Sequence, residues 1–233
     1  MQNLDNIDLL EEIDPVERLA LSSKCTWKTY LPNEQILERS STSRDVFFVV
    51  EGSVNVVNFG VSGREVAYAT VDAGQYFGEL SAIDERPRSA NIIANKKCLL
   101  ASLSPEYFNQ LLLSHPEIML QVMQRLARII RINDDRILDL STLGAVQRVC
   151  QELLRMAEPD PVTANSWLIY PMPTQSVIAS RVSTTRETVA RVLGQLAGDN
   201  LVLKKGKNLY LKDKQGIEDF IASLAVTPGN VPR

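Results

Sequence analysis

Apolar residues along this chain change their spacing several times, and each change marks a new kind of element. Residues 5–24 carry helical spacing, with VERLALSSK beginning just after Pro15, a residue suited to a first helical turn. From Trp27 to Leu103 the apolar residues gather instead in short runs: DVFFVV, VNVVNF, EVAYATV, ANIIA and CLLASL. Turn-forming LPNE, EGS, FGVSGRE, DAGQ and DERPRS separate them. Short β-branched and aromatic runs with no helix between them predict an antiparallel barrel or sandwich. Ser104 and Pro105 then open a helix over SPEYFNQLLLS, with serine as cap, and His115-Pro116 breaks it.

A long helix is predicted from Pro116 to about Thr142. Met119, Met123, Leu126, Ile130, Ile137 and Leu140 fall on one heptad-spaced seam, and Asn133 fills its gap. The flanks hold Arg125, Arg128, Arg131, Asp134, Asp135 and Arg136. A narrow apolar seam on a long charged helix predicts a symmetric two-stranded coiled coil, hence a homodimer. The alternative is a helix packed on its own domain.

Beyond it, LGAVQRVCQELLRMA is amphipathic, EPDPVTANS is a polar loop, and VIASRV and TTRETVARVLGQLAGDN are two short helices parted by Ser183-Thr184. LVLKKGKNLYL predicts a hairpin, and the last segment a short helix and tail. The expected organisation is 1–115 a β-domain, 116–142 a dimerisation helix, 143–213 a winged helix-turn-helix domain and 214–233 a tail.

Charge sharpens this picture. The net charge of −3 over 233 residues argues weakly against a nucleic-acid partner. Yet Tyr170 to Lys214 holds eight Lys/Arg and three Asp/Glu, or +5, leaving −8 for the rest. Such asymmetry fits one region facing an anion, or a merely solvated basic wing. Cys25, Cys98 and Cys150 are too scattered for a disulfide framework, a zinc site or an iron–sulfur cluster. The single histidine, His115, lies between helices and not in the β-domain, so neither haem nor another metal is expected. No run is long enough to span a membrane, and the acidic start lacks a secretory pattern, so a cytoplasmic protein is expected. No nucleophile–base pair or Walker-type loop points to an enzyme.

The helical pair carries the most specific chemistry. Val177, Ile178 and Val182 pack one helix; Val189, Val192, Leu193 and Leu196 stripe the next. That leaves Arg186, Glu187 and Arg191 outward on a helix able to enter a major groove. Arginine forks onto guanine O6 and N7, and glutamate accepts from cytosine N4. Thr174, Gln175, Thr185 and Thr188, with helix-terminal N–H groups, suit phosphates. Lys204, Lys205 and Lys207 are placed near a DNA backbone. SVIASRVSTTRETVARVLGQLAGDNLV resembles the winged helix-turn-helix of the cyclic AMP receptor protein and fumarate–nitrate regulator family. That resemblance implies a TGTGA-like half-site read by Arg186, Glu187 and Arg191, and contact with RNA polymerase. Gln175 stands where the family often has a basic phosphate contact.

A second motif runs FGELSAIDERPRSA from Phe77. Gly78, Leu80 and their neighbours offer N–H groups to an anion, Glu79 can accept from paired sugar hydroxyls, and Arg88 with Ser89 suits a phosphate. An Arg88–Glu79 or Arg88–Glu85 structural ion pair is the bland alternative. The segment is similar to the phosphate-binding cassette of cyclic-nucleotide-binding domains. By that resemblance Glu79 binds the ribose 2′-hydroxyl, and Arg88 with Ser89 the cyclic phosphate. Asn133 and Asp134 fall where the bacterial receptors carry a Thr-Ser pair that touches adenine. Asp134 can accept from adenine N6, or from guanine N1 and N2 together, or else repel a ligand, and Asn133 can serve coiled-coil register as well as a base contact; cAMP, alternatively cGMP, is the expected effector.

An α+β protein is therefore expected: an N-terminal antiparallel β-roll of the cyclic-nucleotide-binding type, a long dimerisation helix and a C-terminal winged helix-turn-helix. Its expected function is ligand-controlled reading of double-stranded DNA. The competing reading is a ligand-independent DNA-binding regulator with a non-functional effector pocket.

Overall fold

The computed structural model describes residues 2–60, 63, 65–163 and 166–225. The turn FGVSGRE and the loop EPDPVTANS lie partly outside the described residues, and the end of the tail, 226–233, lies wholly outside them. The chain divides into two compact units, Met1–Arg131 and Ile132–Arg233.

In the first unit the opening stretch is not one helix. A single 3-10 turn occupies Asp8–Leu10, and helix α1 (Pro15–Ser23) starts only where Asp14 accepts from the Val16 N–H at 2.9 Å. Leu4, Ile7, Leu9, Leu10 and Ile13 are all buried, so packing holds this stretch without helical periodicity. Eight strands follow: β1 (Thr26–Tyr30), β2 (Gln35–Leu37), β3 (Val46–Glu51), β4 (Ser53–Phe59), β5 (Glu65–Asp72), β6 (Tyr76–Phe77), β7 (Asn91–Ala94) and β8 (Cys98–Leu103). Helix α2 (Glu79–Asp84) sits between β6 and β7. Two antiparallel sheets form, in the orders β1-β8-β3-β6 and β2-β7-β4-β5.

The unbroken apolar run of β3 has a physical reason. Its side chains alternate between two cores. Phe47 and Val49 pack with Val54, Val71, Ile92 and Leu100, while Val46 and Phe48 pack with Leu4, Leu10 and Phe108. Both faces of that sheet are covered, so neither needs polar positions. Helix α3 (Pro105–Ser114) supplies Phe108 and Leu111 to the second of these cores. Ser104 holds its N-cap position without making a capping bond.

Helix α4 spans Pro116–Thr142. The seam expected along it is not uniform. Ile118 and Val122 are buried in the first unit, and Met119 and Leu126 pack partly against the same core. Met123, Ile130, Ile137 and Leu140 remain 49–63% exposed, so apart from Leu126 the seam from Met123 onward is an apolar face largely uncovered by the described residues.

The second unit packs helices α5 (Ala145–Met156), α6 (Gln175–Arg181), α7 (Arg186–Gly198) and α8 (Lys214–Ala225) with a small antiparallel sheet. That sheet runs β11-β12-β10-β9, from β9 (Glu158–Pro159), β10 (Trp167–Ile169), β11 (Val202–Lys205) and β12 (Asn208–Leu211). Val149, Leu153, Ile178, Val189, Leu196 and Leu209 centre its core. The segment read as a short helix and tail contributes α8, whose Ile217 is fully buried in that core.

Candidate functional site

In the first unit, β6 ends at Phe77 and Gly78 turns the chain into α2 at φ 90°. Only glycine fits here: a Cβ would stand 2.8 Å from the Asp45 carbonyl and 2.9 Å from Arg88 Nη1. Arg88 is 4% exposed and spends its guanidinium on the protein. Nη1 donates to the Gly78 carbonyl at 2.9 Å, Nη2 to the Asp45 carbonyl at 2.7 Å and Nε to the Ser43 hydroxyl at 3.1 Å. The group lies 5.9 Å from the Phe47 ring centre, and Phe47 stacks on Phe77 at 5.1 Å. Burial pushes the Arg88 pKa down, while Asp45 and Glu79 pull it up.

Neither Arg88–Glu79 nor Arg88–Glu85, the alternative to a ligand-binding role, forms a salt bridge within 4.0 Å. Glu85 pairs with Arg44 at 3.2 Å, and Arg88 has no ion pair among the described residues. Glu79, the first residue of α2, is 6% exposed and has no hydrogen-bond partner among the described residues. A buried guanidinium without a salt bridge and a buried Glu79 without a hydrogen bond, among the described residues, therefore flank one short helix, close enough for Glu79 to act on Arg88 by charge. Leu80 and Ser89 are exposed. The Ser89 carbonyl accepts from Asn58 Nδ2 at 3.1 Å, and Asn58 in turn is held by Asn91 at 3.4 Å. Behind the cradle the Arg125 guanidinium of α4 covers the Tyr76 ring at 4.0 Å. Asn133 and Asp134 lie on the part of α4 that belongs to the second unit, and both are exposed.

In the second unit, two caps define the helical pair. Thr174 accepts from the Val177 N–H at 3.3 Å and starts α6; Thr185 accepts from the Thr188 N–H at 3.3 Å and starts α7. Between them Ser183 takes a left-handed conformation at φ 53°. Arg186, Glu187 and Arg191 are exposed, while Val189, Val192 and Leu196 of the same helix are buried. Arg186 and Arg191 make no ion pair among the described residues, so both forks are available. The Glu187 carboxyl is held below its usual range by its own helix-terminal N–H, the Thr185 hydroxyl and Arg186, so it is an acceptor at neutral pH. Thr188 and Gln175 are half-buried beside the two helix starts. Lys204, Lys205 and Lys207 are exposed around the β11–β12 turn, where Gly206 at φ 59° takes the first loop position.

Sequence patterning missed Arg148. From α5 it donates to three main-chain carbonyls: Leu143 at 2.8 Å, Val182 at 2.9 Å and Ser183 at 3.2 Å. It thereby fixes the turn between α6 and α7 to the end of α4. Among the described residues no group of His, Cys, Asp and Glu is placed to hold a metal ion, and no helix is long and apolar enough to cross a membrane.

Residues 27–115 match the family of the cyclic nucleotide-binding domain, and residues 147–220 match that of the Crp-like helix-turn-helix domain, together well over half of the chain. The cAMP-activated global transcriptional regulator CRP of Salmonella typhimurium is 28% identical over 191 residues, which cover 81% of this chain and 90% of that protein. Vfr of Pseudomonas aeruginosa, also a cAMP-activated global transcriptional regulator, is 29% identical over 196 residues, or 82% of this chain and 91% of Vfr. Among solved structures, a CooA mutant from Carboxydothermus hydrogenoformans shares the fold with a TM-score of 0.76 at 19% identity, covering 94% of this chain and 95% of its own. The c-di-GMP responsive regulator CLP of Xanthomonas campestris gives 0.64 at 21% identity, covering 84% and 97%. With both domain families in this order on the expected fold, the chain belongs to the CRP/FNR family of DNA-binding transcription regulators.

Proposed function

We propose that this chain acts as a cytoplasmic homodimeric regulator, and not an enzyme, in which a cyclic nucleotide held around Arg88 governs how α7 meets DNA. The observation that carries the reading is the buried Arg88 guanidinium, which makes no salt bridge among the described residues, near the buried Glu79, whose carboxylate takes no hydrogen bond among them. Arginine has five N–H donors; three are used by the protein, and the remainder suit a phosphate oxygen. Glu79 suits the paired hydroxyl edge of a ribose, and Gly78, Leu80 and Ser89 complete the cradle. The cAMP-activated relatives favour cAMP, while Asp134 with Asn133 leaves cGMP as the alternative.

Arg186, Glu187 and Arg191 read a TGTGA-like half-site, with Thr174, Gln175, Thr185 and Thr188 on phosphates. The uncovered apolar face of α4 is the dimer seam, as its exposed Met123, Ile130, Ile137 and Leu140 require burial elsewhere. RNA polymerase is the expected downstream partner. A ligand-independent regulator is the second reading. It is favoured by the three protein bonds that already hold Arg88 in place.

The test is fluorescence anisotropy on a palindromic TGTGA-type duplex, with and without cAMP or cGMP. Tightening by one nucleotide supports the first reading and names the effector. Equal, salt-sensitive binding throughout supports the second. No preference for that duplex overturns the assignment of Arg186, Glu187 and Arg191.

A further inference from the structure

Glu152, in the middle of α5, has a side chain only 3% exposed and meets three guanidinium groups from three helices. Arg136 of α4 approaches at 3.6 Å, Arg155 of α5 at 3.8 Å, and Arg181, the last residue of α6, at 3.5 Å. Arg155 also pairs with Asp139, which is buried on α4 three residues after Arg136 and so shares its helix face. All five residues belong to the second unit.

Such a group is an inefficient way to gain stability. Burying ions costs hydration that apolar packing would not cost, and what a buried ionic group can supply instead is one preferred geometry. Its position makes that geometry matter. Arg181 ends the first helix of the pair, the left-handed Ser183 follows, and Thr185 caps α7 four residues after Arg181. That turn is itself gripped through its carbonyls by Arg148. Whatever sets the place of Arg181 against α4 and α5 therefore also sets the start of α7, where Arg186 and Glu187 stand.

We propose that Glu152 is a positioning residue for DNA reading: through Arg136 and Arg181 it fixes the α6–α7 pair against the end of α4. This rests on the DNA-reading function proposed above. The network governs sequence discrimination, because base contacts demand exact placement of α7. It leaves general affinity for duplex alone, because the wing lysines act on phosphates through charge.

The full chain and its Glu152→Gln variant are to be compared on a duplex that the unaltered protein enriches from a random pool and on a scrambled duplex of equal length. The variant is expected to lose about tenfold or more of the affinity ratio between the two, as one or more base contacts fail. Affinity for the scrambled duplex should hold within about twofold. Arg181→Gln should cost a similar factor, and the double variant no more than either single, since both remove one shared contact. If thermal unfolding shows that Glu152→Gln does not fold, Arg181→Gln decides the matter on the same ratio. A folded variant that discriminates as well as the unaltered chain overturns the proposal, as do fully additive losses. An unaltered chain that enriches no sequence, whether alone, with cAMP or with cGMP, overturns the DNA-reading function, and this proposal with it.

Discussion

Arg88 donates from Nη1 to the carbonyl of Gly78 at 2.9 Å, so the two ends of the cradle are bonded to each other directly. The arginine is thus both a wall of the site and a buried cation in it, and the two roles can be separated. Arg88→Lys keeps the charge but cannot reach three partners with a planar fork. It should weaken nucleotide binding about tenfold, and Arg88→Ala about a hundredfold or more, as titration calorimetry would measure. Retained affinity in both variants would remove Arg88 from the site.

Gly78 is at once a conformational and a steric requirement. Gly78→Ala forces a side chain into the left-handed region and toward the Asp45 carbonyl. The expected cost is about 1–3 kcal/mol, read by chemical denaturation, together with loss of nucleotide binding. Serine in its place should behave no better.

Base reading and backbone binding should part company on the DNA side. Arg186→Ala should cost about 1–3 kcal/mol on the preferred duplex and relax selectivity at one base pair. Lys204→Ala should weaken all duplexes alike and reduce the slope of affinity against salt by about one. Measuring Kd at several salt concentrations on preferred and scrambled duplexes checks both.

His115 gives the first unit a pH dependence. Nε2 meets Glu17 at 2.9 Å and Nδ1 meets Glu117 at 2.9 Å, and these bonds raise the imidazole above its ordinary 6.5. A raised pKa favours the folded state fully below 6.5, and that contribution is lost as pH rises through the folded value. Melting temperature should therefore decline across that window. The decline should vanish in His115→Gln, and an unchanged profile in that variant would assign the effect elsewhere.

Elements fixed by local rules were legible in the sequence. Thr174 and Thr185 mark the two helix starts in the sequence because capping depends on residues two or three positions away. The long helix was legible from Pro116 to Thr142 because a proline start and heptad spacing are also local signals. The candidate cradle's bonding was not legible in the sequence: Ser43 and the Asp45 carbonyl reach Arg88 from more than forty positions upstream. Met119 and Leu126 kept the heptad spacing yet pack partly on their own unit, because spacing states which face is apolar and not what covers it. Residues 5–14 carried helical spacing but are held by burial of Leu9, Leu10 and Ile13, a tertiary effect that no window of sequence contains. Arg148 and Glu152 left no signal, since a charged residue on an amphipathic helix usually faces water.

The bonds of Arg148 carry an evolutionary consequence. All three run to main-chain carbonyls, of Leu143, Val182 and Ser183, and every residue type offers the same carbonyl. The residues it holds can therefore be exchanged through descent without the hold being lost. Val182 stays bound to the core by its burial and Ser183 to residues that tolerate φ 53°, but selection for a new operator at Arg186, Glu187 or Arg191 can proceed on a turn whose hold by Arg148 asks nothing of those side chains.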